Sequence, residues 1–160
     1  MVKVYTALLR ISIGFIFLWT FLDKLFGLGF STLSERSWIS GASPTAGYLS
    51  NATRGPLAEV FQSLTGNPVT DWLFMLGMLG VGVAFVLGIA LKFSSFAGAA
   101  MMALLYLSAF PPATNPLIDN HVVYALLLLF LAQADAGNYL GFGKNWNKGS
   151  VVKMFPFLRN

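Results

Sequence analysis

Four long stretches of this chain are apolar and almost free of charge, and they restrict its fold more than any other feature. Val4 to Leu28 carries only Arg10, Asp23 and Lys24, Val69 to Leu91 only Asp71, and Phe93 to Phe110 no charge at all. The fourth, residues 116–136, carries Asp119, His121 and Asp135 near its two ends. At about 1.5 Å per residue, a helix of roughly 20 residues crosses a ~30 Å hydrocarbon core. The chain has 160 residues of which 10% are charged, against roughly 25% in soluble domains, so it lacks the polar surface that water demands. A cleaved signal peptide is the competing reading of the first stretch. No small-residue cleavage site follows it, however, and Arg10 would interrupt its apolar core. The sequence therefore predicts an all-α integral membrane protein of one domain, residues 1–160. Its architecture is a four-helix transmembrane bundle with helices near 4–28, 69–91, 93–110 and 116–136. Asn67-Pro68 and Asn115-Pro116 offer a cap followed by a first-turn proline, while Pro111-Pro112 and Gly137 offer stops.

Positive residues orient the bundle. Lys3, Arg10, Lys92, Lys144, Lys148, Lys153 and Arg159 fall on one side; Lys24, Arg36 and Arg54 fall on the other, with Asp23, Glu35, Glu59, Asp71 and Asp119. By the positive-inside rule, both termini are cytoplasmic and the protein is multi-pass in the cell membrane. The long helical extracytoplasmic loop between helices 1 and 2, residues 29–68, then faces outward, as does "PPATNP". This asymmetry accounts for the net charge of +4 without a nucleic-acid partner, since no basic stripe interleaved with aromatics accompanies it. There is no cysteine, which removes disulfides, thiolate metal sites and thiol–disulfide chemistry.

The outer segment reads as a cap. Ser43 and Pro44 open a short helix, and Leu57, Val60, Phe61 and Leu64 place an apolar face on a second one that stops at Gly66. Trp38, Tyr48 and Trp72 suit headgroup depth, where interfacial anchoring is the ordinary role of such aromatics. Gly80, Ala84 and Gly88, with Ser95, Ala99 and Ala103, are spaced for close helix approach. That spacing serves either packing inside the monomer, the favoured use, or a homo-oligomer face.

Charges recur at matched depths on the first and fourth helices. Arg10 and Asp135 are expected to form a buried structural pair at the inner end. Asp23, Lys24, Asp119 and His121 gather at the outer end. Trp19 lies one turn below Asp23, and Tyr124 one turn below Asn120 and His121. Ionisable groups at the edge of an apolar, aromatic slot suit a quinone head group, whose reduction takes up protons. On that reading Asp23 and His121 supply protons and Asp119 orients the imidazole, while Trp19, Tyr124 and Asn120 form the quinone wall. Helix capping within a satisfied polar cluster is the structural alternative. One histidine with two carboxylates makes a thin metal site, and no flavin or haem motif is present.

"LRISIGFIFLWTFLDKLFGLGF", the stretch from Trp38 to Leu49, "GNPVTDWLFMLG" and "PPATNPLIDNHVVYALLLLFLA" together resemble the DoxX/DoxD family over nearly the whole chain. The resemblance implies a four-helix membrane subunit of a thiosulfate:quinone oxidoreductase, which joins two thiosulfates into tetrathionate and passes the electrons to quinone. It implies membrane lipid, quinone and a second small subunit as partners. Lys24, Arg36 and Arg54, with Trp38, are then the candidates to hold the anionic donor. A non-catalytic scaffold for a redox-stress complex is the alternative, and a small transporter ranks last for want of broken helices or an inverted repeat.

Overall fold

The computed structural model describes every residue except Thr114, which lies in the "PPATNP" connection. The described residues form α-helices and short 3-10 turns, with no strand among them. Helix α1 is Val2–Phe26; α2 (Ala46–Asn51) and α3 (Ala58–Gln62) lie in the cap; α4 is Pro68–Leu87, α5 is Leu91–Ser108 and α6 is Asn120–Gln133. Two short helices, α7 (Gly143–Trp146) and α8 (Ser150–Met154), end the chain. Helices α1, α4 and α5 are long and apolar enough to cross a membrane, so this is a multi-span membrane protein. With 14 residues, α6 is about 21 Å long and falls short of a ~30 Å core by itself.

Local chemistry sets these limits. The Asn67 side chain accepts the Val69 N–H at 2.9 Å with Pro68 in the first turn, as its sequence requires. The expected ends elsewhere shift. Gly88 and Ala90 both take left-handed conformations, so α4 stops at Leu87 and α5 begins at Leu91, before Lys92. Asn115 does not open α6: its Oδ1 accepts the N–H groups of Leu117 (2.9 Å) and Ile118 (3.0 Å) in a local turn. Asp119 caps the helix instead. Gly137 does not stop it either, because Asp135 turns left-handed first, and Gly137 sits buried in the following 3-10 turn.

The bundle is two helix pairs, α1 on α4 and α5 on α6, joined chiefly through α4 and α5. Between helices in lipid the packing itself must supply the association, so small residues mark the contacts. They are only partly the expected ones: Ala84, Gly88 and Ser95 are at buried or close contacts, but Gly80 is not. A Cβ on Gly80 would meet nothing within 4 Å, whereas one on Gly82 would sit 2.6 Å from the Leu18 nitrogen and one on Gly14 2.8 Å from Phe85 Cβ. Ile13, Phe17, Val81, Phe85, Leu128 and Leu131 fill the core between the pairs.

Arg10 and Asp135 do not pair. The only ion pair among the described residues is elsewhere, and Asp135 is exposed. Arg10 is fully buried and donates instead to the carbonyls of Phe85, Val86 (2.8 Å), Tyr139 (3.3 Å) and Leu140 (2.9 Å). The last four carbonyls of a helix have no partner within it. In α4 the Ala84 carbonyl accepts from Gly88 and Ile89, Leu87 from Phe142, and Phe85 and Val86 from Arg10. Arg10 is therefore a C-terminal cap supplied by a neighbouring helix, its charge set against the negative end of the α4 dipole.

Candidate functional site

The two helix pairs enclose a largely apolar cavity of about 490 Å³ at the end of the bundle covered by the cap. Its floor is Phe17, Met78 and Met102, all nearly inaccessible, and Pro44, Thr45 and Leu49 of the cap lie over it. The cap is tied down through Asp71, in the first turn of α4. That buried carboxylate accepts from the Ser43 hydroxyl (2.8 Å) and from the Thr45 hydroxyl and N–H. Ser43 Oγ also accepts the Ala46 N–H at 3.1 Å, but α2 begins at Ala46 with Thr45 in its cap position, so Ser43 is not the cap and Pro44 stays outside the helix. A second tie runs from Arg54, whose N–H and Nε–H donate to the Ser108 (2.9 Å) and Ala109 (3.0 Å) carbonyls at the end of α5.

Polar groups converge on one wall. Asp119 Oδ1 accepts the N–H groups of His121 (2.9 Å) and Val122 (3.3 Å), and Oδ2 lies 2.7 Å from His121 Nδ1. An ionised carboxylate only accepts, so the geometry places the proton on Nδ1 and leaves Nε2 without a protein partner among the described residues. His121, Asn120 and Tyr124 all line the cavity. Across from them Lys24 reaches in from α1; its amine donates to the Pro44 carbonyl at 2.9 Å and has no carboxylate within ion-pair distance. His121, Asn120 and Tyr48 also line a second, more polar recess with Asp119, Asn51 and Arg54. The imidazole thus stands between an apolar chamber and a polar one.

Four residues expected at this site are placed otherwise. Asp23 is buried but does not line the cavity: it accepts the N–H groups of Phe30 (3.2 Å) and Ser31 (2.9 Å) and the Ser31 hydroxyl (2.6 Å), holding the turn after α1. Trp19 stacks on Phe15 and meets Phe30 edge-on at 5.1 Å, on another face of α1. Trp38 packs edge-on against Trp72 at 4.6 Å, and Arg36 is exposed in the 3-10 turn Ser34–Arg36; neither lines a cavity. The sequence reading in turn missed Tyr48 and Ser108, whose hydroxyls meet at 2.9 Å over the cavity. The "SPTAGY" run placed Tyr48 on a cap helix, but only its hydroxyl contacts with Leu105 and Ser108 of α5 bring it to the site.

The chain matches no protein-family model, no curated protein and no solved structure.

Proposed function

We propose that the protein is a quinone-linked membrane oxidoreductase, or the membrane subunit of one, of the DoxX/DoxD kind. It oxidises thiosulfate to tetrathionate and passes the electrons to membrane quinone. Two thiosulfates join through a new S–S bond and release two electrons; the quinone takes these with two protons and becomes a quinol. The observation that carries the reading is the Asp119–His121 pair at the polar edge of an apolar cavity, whose volume lies in the ~300–1,000 Å³ range of small-molecule sites. Asp119 fixes the tautomer and stabilises the imidazolium; His121 then delivers a proton from Nε2 to one quinone carbonyl. Lys24 has hydrogen-bond donors left beyond the one on Pro44 and holds the other carbonyl. Tyr124 and the methionines flank the ring. Arg54, in the polar recess on the far side of His121, takes the role first given to three cations and attracts the anionic donor. A second small subunit completes the donor side.

The proposal includes four membrane spans, with both termini cytoplasmic and the cap outside. Helix α6 crosses with exposed Leu117 and Ile118 extending its apolar length on the cap side.

The test is thiosulfate-dependent quinone reduction by the purified protein. His121→Ala should lower kcat by about 10²–10⁴-fold, the usual contribution of a general acid, without lowering Tm. Parental turnover in a folded His121→Ala variant would reduce the histidine to a helix-end residue and sink the proposal.

A further inference from the structure

The apolar cavity is roofed by the cap, yet three of its apolar lining residues on the long helices are exposed: Leu73 (68%), Leu104 (56%) and Ile16 (42%). Two of these belong to one gap. Helices α4 and α5 touch closely where a Cβ on Gly77 would come 3.0 Å from Met101 Cε. Leu73 lies one turn from Gly77 on α4, and Leu104 one turn from Met101 on α5, both toward the cap. Each leucine lines the cavity and is also exposed on the outer surface. In water such a mouth would expose apolar surface at a cost, whereas lipid tails are as apolar as leucine and cover it freely.

We infer that the ligand of this cavity enters sideways from the bilayer, between the cap-side halves of α4 and α5. Its apolar tail stays in that gap against Leu73 and Leu104, while its head lies at His121. The ligand is then a tailed, lipid-soluble molecule, and the gap selects for the tail. The head group rests on the quinone reading above; the route rests on the gap alone. Lys24, Tyr48, Asn120 and His121 supply the polar contacts at the inner end, and Met101 and Phe74 bound the passage below and behind.

The chain has no cysteine, so a single one introduced by Leu73→Cys or Leu104→Cys can be labelled with a bulky maleimide after the protein has folded. Binding is measured with a decyl-substituted benzoquinone and with tetramethylbenzoquinone, which has no tail. Labelling either position should weaken the decyl quinone by about tenfold or more and the tail-less one by less than about twofold, since only tail contacts are displaced. Bound decyl quinone should also slow the labelling of both cysteines, and tetramethylbenzoquinone should not. A label at Leu76→Cys, exposed on α4 away from the cavity, should change neither affinity. Unchanged decyl binding after labelling, equal loss for both quinones, or blockage only from Ile16→Cys on α1 would each overturn the route while leaving the quinone reading in place. If the unmodified protein binds neither quinone, both fall.

Discussion

Arg10→Met tests the most unusual contact in the bundle. The substitution keeps an unbranched apolar side chain of similar reach and removes every donor. Tyr139 and Leu140 lie in a loop at the protein surface, where their carbonyls can turn to water. The Phe85 and Val86 carbonyls, at the end of α4, have no other partner once the guanidinium is gone. A buried acceptor left unpaired costs about 1–3 kcal/mol, so the pair predicts a loss of about 2–6 kcal/mol. For a chain of this length that is a fall in Tm on the order of 10 °C. Arg10→Lys should recover only part of it, because a single ammonium cannot span carbonyls that a planar fork reaches together. Thermal unfolding in detergent, followed by intrinsic tryptophan fluorescence, is the assay. The decisive comparison is Asp135→Ala: an exposed residue without an ionic partner should change stability by no more than about 0.5 kcal/mol. If Asp135→Ala is as damaging as Arg10→Met, and the double variant no worse than either, the carboxylate is the true partner and the capping argument fails.

Three further outcomes are expected. Asp119→Asn should lower Tm, because it weakens the bonds to the His121 and Val122 N–H groups and to the imidazole; an unchanged Tm would show that the carboxylate is not engaged. Asp23→Asn should lower Tm, through weakened bonds to Phe30 and Ser31, while kcat per folded molecule stays at the parental level; a large loss of kcat would return Asp23 to the chemistry. For topology, a cysteine at the exposed Ser50 should label from outside intact cells and one at Ser150 should not, and the reverse pattern would invert the orientation.

Hydropathy made the long helices legible, because α1, α4 and α5 need only length and an absence of charge, and Asn67-Pro68 marked one end to the residue. It overran α6. An apolar run of 21 residues looks like one span, but an aspartate in the middle of "LIDNH" captures two N–H groups and starts the helix later than Pro116. The site was half legible for a related reason. Depth along an antiparallel pair follows from rise per residue, which put Lys24, Asn120 and His121 at one level with Tyr124 one turn below, and all four share a cavity. Azimuth does not follow from depth: Trp19 and Asp23 have the right height and face a different way. Nor does depth reveal which acceptor a buried arginine chooses. Asp135 matched Arg10 in height, but the turn after α6 carries it outward while four backbone carbonyls close on the guanidinium.

The buried charges of this bundle and those that line its cavities differ in how much of their hydrogen-bonding capacity the protein itself consumes. Asp71 accepts three bonds from the cap, Asp23 three from the turn after α1, and Arg10 donates to four carbonyls. Each is buried and largely saturated, which offsets the cost of taking an ion out of water and leaves little with which to meet a substrate. Lys24 donates to one carbonyl, the terminal nitrogens of Arg54 to none among the described residues, and His121 keeps Nε2 free. These three line cavities, and the saturated ones do not. Asp119 stands between the classes: Oδ1 caps α6, and Oδ2 is given to the imidazole. One residue thereby fixes both where the helix starts and which His121 nitrogen is left without a protein partner, so the imidazole is positioned by the same bond pattern that begins the fourth helix.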